Sequence, residues 1–484
     1  MEELDIAAVT KRSIRGVFAL TSRTFIIQLV GFASNLLLTI FLSPSVFGVY
    51  FVVSAAIAFL SYFSDIGLAA ALIQKKEQIT EDDLKTTFTI QQILVVSVVA
   101  IALLSSSFVS RFYHLQGEEI LLFQALAISF FLSSLKTIPS ILMERELRFE
   151  KLVIPQIVEV LFFNVTAVFL AWKGYGVTAF TVAVLARGLS GLIAIYIINP
   201  WRIRLGLSKD VARKLLSFGI PFQANSFLGL IKDDLFVAYL GKALPIAQVG
   251  YIGFAQKWAY MPLRLIMDNV IRITFPSFSR LQNEKDVLKK AIEKAIFASC
   301  FIIFPALTGL VILSTHFVEF IPKYEKWEPA VISLFFFAVN AAFSSISTPL
   351  TNALNAIGKI KVTLYLMVFW TVATWVLTPI FIAIYGFNGV AIASALISLS
   401  IVGVVIITKK YINFSVLSTV TVPIISTVIM GVVVYFFNLY FVRGLMTLGA
   451  SIIVGVLIYF VTSIIIAKEQ IISDIQMVRD NLKT

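Results

Sequence analysis

SFGIPFQANSFLGLIKDDLFVAYLGKALPIAQVGYIGFAQKWAYMPLRLIMDNVIRITFPSFSRL, residues 217–281, contains two apolar segments of membrane-spanning length with charges where hydrocarbon should be. The first carries Lys232, Asp233 and Asp234; the second carries Lys257, Arg264, Asp268 and Arg272. A charge at the bilayer centre costs about 2.5–3.5 kcal/mol on insertion scales, so it normally faces a cavity or a partner and not lipid. Counted from Lys257, the other three charges lie 7, 11 and 15 residues on. At 3.6 residues per turn they share a wedge of about 80° and run about 22 Å along the helix. The expected structure is one charged stripe down most of a bilayer, the wall of a polar and mainly cationic pathway.

The composition places that stripe in a membrane. Of the 484 residues, 59% are hydrophobic and 14% charged, and the mean hydropathy is +0.94. A soluble domain carries about 25% charged residues, so this is an integral membrane protein. One cysteine and two histidines exclude most metal and thiol chemistry. Cys300 has no disulfide partner within the chain and sits in an apolar run, where a small core residue is expected. His114 and His316 fall near outer loops, and no metal site is expected. The first residues, MEELDIAAVTKRSIRG, are polar and lead straight into a full-length span, which does not read as a cleavable signal peptide.

Apolar runs long enough to cross about 30 Å of hydrocarbon recur along the whole chain. They cover approximately 16–42, 46–72, 87–109, 120–143, 152–172, 177–199, 215–240, 246–275, 292–316, 329–353, 362–385, 389–408, 417–439 and 445–467. The fold class is therefore an all-α polytopic membrane protein of about 14 transmembrane helices. Basic residues set the orientation. Of the 39 Lys and Arg, 26 fall on one set of alternating loops and the termini, 6 on the other set and 7 within spans. That asymmetry puts both termini in the cytoplasm. It also accounts for most of the net charge of +12 without a nucleic-acid partner, since basic loops serve topology and lipid headgroups.

A weak internal repeat is visible. Leu42-Ser43-Pro44-Ser45-Val46-Phe47-Gly48-Val49-Tyr50 joins the first two spans, and Leu244-Pro245-Ile246-Ala247-Gln248-Val249-Gly250-Tyr251 joins the seventh and eighth. Six spans separate the copies, so the halves keep the same orientation. Two parallel six-helix lobes, 1–214 and 215–415, are expected around a central cavity, with two extra helices and a cytoplasmic tail in 416–484. Parallel repeats of this kind are a transporter architecture.

Several stretches resemble the oligosaccharide flippase family, the Wzx-type transporters of O-antigen and exopolysaccharide repeat units. They are LSPSVFGVYFVVSA and FSDIGLAAALIQKKEQIT within 42–80, ILMERELRFEKL (141–152), VGYIGFAQKWAYMPL (249–263) and ITFPSFSRL (273–281). The likeness spans roughly 15–410 and its parts recur in order. It implies membership of the multidrug/oligosaccharidyl-lipid/polysaccharide exporter superfamily, with alternating access to the cavity. The implied cargo is a polyprenyl-diphosphate-linked oligosaccharide, moved from the cytoplasmic to the outer leaflet of the cell membrane for surface polysaccharide biosynthesis. Polysaccharide polymerase and ligase machinery are the implied partners. The resemblance also places charged residues of the first, second, seventh and eighth helices on the cavity: Arg23, Asp65, Asp233, Asp234, Lys257, Arg264, Asp268 and Arg272.

The residues themselves admit two roles. Arginine suits a diphosphate because its planar fork donates paired hydrogen bonds to neighbouring oxygens, which makes Arg23, Arg187, Arg264 and Arg272 the first substrate contacts, with Lys232 and Lys257 beside them. Equally, Asp65, Glu159, Asp233, Asp234 and Asp268 could pair with these cations as struts. Asp268, one turn from both Arg264 and Arg272, could neutralise them. Lys136, near a cytoplasmic helix end, is expected to snorkel. Intramembrane acids mark ion relays, so coupling to a proton or sodium gradient is expected to run through Asp233 or Asp234, with no organic cofactor. Tyr251, Trp258, Tyr260, Trp370 and Trp375 could stack on sugars, although packing is their commoner use. Three alternatives stand beside the repeat-unit flippase: a peptidoglycan lipid-precursor flippase of shared architecture, a multidrug exporter of the same superfamily, and a glycosyltransferase or polymerase, which would also be polytopic and handle the same lipid. The cation-rich interior disfavours cationic drugs as cargo, and the short outer loops disfavour an enzyme.

Overall fold

The computed structural model describes residues 6–64, 66–75, 77–224 and 227–481, with side chains from 22 to 467 except at 65, 76, 218, 220–222 and 224–226. Asp65 therefore lies outside the described residues. All regular structure among the described residues is helical. Lipid offers no hydrogen bonds, and a helix satisfies its own backbone. The first helices are α1 (Ile6–Phe41), α2 (Pro44–Tyr62), α3 (Leu68–Gln74), α4 (Glu81–Leu104), α5 (Ser106–Tyr113), α6 (Gly117–Ser134) and α7 (Thr137–Arg145). Then come α8 (Phe149–Trp172), α9 (Thr178–Ile198), α10 (Lys209–Ala224), α11 (Phe227–Lys232), α12 (Asp234–Ala243), α13 (Ile246–Arg280) and α14 (Lys285–Phe320). The last are α15 (Ala330–Ala356), α16 (Ile360–Tyr385), α17 (Asn388–Ser398), α18 (Ile401–Lys409), α19 (Val416–Phe441) and α20 (Leu445–Asn481).

Among the described residues, 12 helical stretches are long and apolar enough to cross a membrane. They lie on α1, α2, α4, α6, α8, α9, α14, α15, α16, α17 with α18, α19 and α20. The two other expected spans are the charged ones. α13 is continuous over 35 residues. Within the expected span at 215–240 the described residues carry a turn at Asp233, which separates α11 from α12. Three consecutive charges point about 100° apart around a helix, so no single face can shelter Lys232, Asp233 and Asp234 together. The expected single spans at 46–72 and 120–143 are interrupted, at residues 63, 64, 66 and 67 and at Leu135 and Lys136.

Two compact units result, Met1–Gly250 and Tyr251–Thr484. In the first, α8 packs on α1 and α9, α6 on α9, and α12 on α2; in the second, α15 packs on α14 and α17, and α19 on α14 and α20. The expected lobes join at 214/215, whereas the packing boundary falls at 250/251 because α10 and α12 pack on α2, α3 and α4. Burying apolar surface does not drive helices together in lipid, so close approach through small residues must. α9 accordingly buries Ala179, Ala183, Gly188, Ser190 and Gly191. α15 buries Ala330, Ser333, Ala338, Ala341, Ser345 and Ala353.

The closest approaches are made backbone to backbone. A Cβ on Gly48 would overlap the Ile246 carbonyl, and one on Gly250 would overlap the Pro44 carbonyl. These are the matched glycines of the internal repeat, so its two copies cross each other here. At the other end of α2, Gly67, with φ of +72°, stands in the same relation to Gly219 of α10. The Tyr62 hydroxyl donates to the Gln223 carbonyl at 2.6 Å beside that contact. α2 is thus pinned at both ends.

Candidate functional site

Lys257, Arg264, Asp268 and Arg272 are all exposed along α13. Among the described residues none of the four forms an ion pair. The neutralisation of Arg264 and Arg272 by Asp268, allowed by spacing, is not used.

The orientation of the stripe is set from behind. The Tyr260 hydroxyl donates to Asn340 Oδ1 at 3.1 Å, and Asn340 in turn donates to the Ser394 carbonyl at 2.8 Å. Asn352 donates to Thr274 Oγ1 at 2.8 Å. On a helical wheel Tyr260 and Thr274 lie about 40° apart and about 95° from the middle of the stripe. These bonds hold one face of α13 on α15 and leave the charged face turned away from that contact. Toward its start α13 is held by rings: Phe254 stacks on Trp327 at 4.3 Å between centroids, and Tyr251 meets Trp327 and Phe387. Trp258 meets Phe254 edge-on, and Trp370 donates to Ser400 Oγ at 2.9 Å. Tyr251, Trp258, Tyr260 and Trp370 are thereby engaged in packing or hydrogen bonds.

In the first unit one carboxylate gathers two cations. Lys136 Nζ lies 2.5 Å from Glu159 Oε1, with their side chains 12% and 13% exposed. Arg187 Nε lies 3.7 Å from Glu159 Oε2 and is 53% exposed. The expectation that Lys136 snorkels is corrected here. The helix breaks at Leu135–Lys136, which turns the ammonium inward to α8. A Cβ on Gly191 would collide with the Glu159 carboxyl group, so that glycine makes room for the acid. Lys232 pairs with its neighbour Asp233 at 3.2 Å. Asp234 opens α12 and is half-buried, as is Arg23 on α1.

Arg145 was not among the expected functional residues. Its Nη1 donates to the carbonyls of Leu72 at 2.8 Å and Lys75 at 2.6 Å, and its Nη2 to that of Glu77. The guanidinium satisfies carbonyls left open where α3 ends, a favourable place for a cation. It also ties together two of the stretches that carry the family resemblance, 42–80 and 141–152. Backbone acceptors have no letter in a sequence, so no motif announces such a clasp. In the second unit, α14, α19 and α20 enclose an apolar groove of about 410 Å³, whose lining includes Phe301, Pro305, Leu313, Met430, Tyr459 and Phe460.

Residues 37–332 match the family described as polysaccharide biosynthesis protein. The chain belongs to this family. For a polysaccharide biosynthesis protein the matched region is informative, because the clasp, both glycine crossings, Glu159 and the α13 stripe all fall inside it. Arg23 and the α19 and α20 walls of the groove fall outside. An "Uncharacterized membrane protein in cps region" of Klebsiella pneumoniae is 27% identical over 349 residues, covering 71% of this chain and 70% of its own. The lipopolysaccharide biosynthesis protein WzxC of Escherichia coli (strain K12) is 24% identical over 366 residues, covering 75% and 74%. A solved structure of the lipid II flippase MurJ in an inward closed conformation superposes with a TM-score of 0.75 at 16% identity. It covers 93% of this chain and 99% of that one, and it shows a shared fold. The family resemblance read from the sequence is borne out, and the protein is a multi-pass membrane protein.

Proposed function

We propose that this protein is a flippase that carries a polyprenyl-diphosphate-linked oligosaccharide from the cytoplasmic to the outer leaflet by alternating access. The observation that carries the reading is the α13 stripe, whose three cations and one acid stand exposed and form no ion pair among the described residues, in a chain of the polysaccharide biosynthesis family. The name of WzxC, a lipopolysaccharide biosynthesis protein, supports the same cargo class. Moving a diphosphate through hydrocarbon unaided is prohibitive, because desolvating a charge costs far more than any apolar contact returns. A cationic helix face replaces that lost hydration, while the isoprenoid tail stays in apolar surroundings such as lipid or the groove of the second unit.

In this reading Lys257, Arg264 and Arg272 contact the diphosphate, with Arg23, Arg187 and Lys232 as further contacts along the path. Glu159 serves charge pairing. Asp233 and Asp234, with Asp65, are the groups through which a proton or sodium gradient would couple, and Asp268 balances the stripe. Both termini face the cytoplasm, the chain acts without catalysis or a cofactor, and the polysaccharide polymerase or ligase machinery receives the cargo.

The test is flipping in proteoliposomes loaded with a fluorescent polyprenyl-diphosphate oligosaccharide. A hydrogen bond to a charged group contributes about 1.5–3 kcal/mol. Arg264→Ala is therefore expected to slow transport about 10- to 100-fold, with Arg264→Lys in between, both proteins remaining folded. Unchanged rates in both variants would reduce the stripe to architecture.

A further inference from the structure

Between α9 and α10 the chain has no regular structure from Pro200 to Ser208, and this segment is built unlike an ordinary loop. It lies against the first turns of α4. Gly206 N–H donates to Thr89 Oγ1 and Ser208 N–H to Thr86 Oγ1, both at 3.0 Å. Arg204 reaches Glu81 at 2.7 Å, and Trp201 packs edge-on against Phe88. Facing outward is a row of large apolar side chains at every second position: Ile203 is 53% exposed, Leu205 72% and Leu207 65%. Around the row stand Arg202, Lys209, Arg213 and Lys214, all exposed. Among the described residues none of these four pairs with an acid.

Depth in the membrane decides what covers that row. One candidate span ends at Ile198 and another begins at Glu81, so a segment that leaves the first and is bonded to the opening turns of the second sits at the edge of the hydrocarbon. Non-helical backbone is not tolerated against lipid unless its polar groups find partners, and the hydroxyls of Thr86 and Thr89 supply two of them. Apolar side chains flanked by Lys and Arg are the composition of an element lying in the interface plane, and basic residues there attract anionic headgroups. We propose that residues 200–214 form an anchor for the anionic phospholipid surface of the basic-loop side of the membrane. Ile203, Leu205 and Leu207 enter the acyl boundary, and Arg202, Lys209, Arg213 and Lys214 hold phosphate headgroups. The anchor fixes the connection from α9 into α10 at one depth.

A nitroxide label tests this without any transport assay. The single native cysteine, Cys300, is buried and is replaced by serine. Leu205→Cys or Leu207→Cys is then labelled in vesicles of phosphatidylcholine with phosphatidylglycerol, with Asn283→Cys in the exposed α13–α14 connection as the aqueous reference. The expected result is collision with dissolved oxygen dominating over a water-soluble nickel chelate at 205 and 207, and the reverse at 283. Nickel dominance at 205 would place the row in water, and shielding from both reagents would mean a protein covers it; either result overturns the proposal. In native mass spectrometry, converting Arg202, Lys209, Arg213 and Lys214 to glutamine should weaken phosphatidylglycerol retention about fivefold per charge removed. Unchanged retention would remove the headgroup contacts.

Discussion

Glu159→Ala is expected to lower the stability of the purified protein by about 3–5 kcal/mol, the cost of breaking a buried ion pair from one side. The reason is the company Glu159 keeps. Its carboxylate holds Lys136 at 2.5 Å with both side chains about seven-eighths covered, and it fills the space over Gly191. Removing the acid strands an ammonium among packed helices and opens a cavity. Lys136→Met should cost less, because Arg187 still stands 3.7 Å from the acid. The double variant Lys136→Met, Glu159→Met should recover most of the loss, since well-packed apolar groups often replace a buried pair at no penalty. Arg187→Gln, at a half-exposed position, should cost less than about 1 kcal/mol. Thermal unfolding in detergent gives all four numbers. A Glu159→Ala protein within about 0.5 kcal/mol of wild type, the scatter of a neutral surface change, would rule the strut out.

At the crossing of α2 and α13 the expected result is a reversal of the usual rule for glycine. In an open helical position, alanine for glycine gains up to about 1 kcal/mol. Gly403 on α18 is such a position, with no atom near its absent Cβ, and Gly403→Ala should be neutral or stabilising. Gly48→Ala and Gly250→Ala should each cost about 1–3 kcal/mol as overpacking. In both cases the obstacle is a backbone carbonyl, which cannot rotate aside as a side chain can. Because the two glycines share one contact, the double variant should cost less than the sum of the singles. Loss of transport beyond what the lost stability explains would mark the crossing as a moving part. Equal melting temperatures for wild type, Gly250→Ala and Gly403→Ala would show that the helices do not approach as closely as described.

The sequence made the class, the span pattern and the charged stripe readable, because hydropathy and the 3.6-residue period are written in the side chains themselves. The match of Gly48 with Gly250 was readable too, although only as a faint repeat. Its meaning required the carbonyls of Pro44 and Ile246, and a sequence does not show where carbonyls point. The Arg145 clasp was hidden for the same reason. Lys136 was misread because a cation near a helix end ordinarily reaches for water, and only the break after Ser134 reveals that this one turns to Glu159. The interruption of the span at 215–240 was foreshadowed by Lys232-Asp233-Asp234, yet hydropathy averaged over a window smooths three polar residues into an apolar run. Asn340 and Asn352, which orient α13, carry no mark that separates them from any other polar residue in a helix.

The central claim is that a cationic helix face stands in for the water around a diphosphate. Wild-type protein in proteoliposomes should be given two fluorescent lipids with the same oligosaccharide and the same polyprenyl chain, one joined by a diphosphate and one by an uncharged linker. Rapid flipping of the diphosphate lipid with little movement of the neutral one is the predicted result, and the difference should shrink in Arg264→Ala. Equal flipping of both lipids, or transport of neither by a folded protein, would contradict the account.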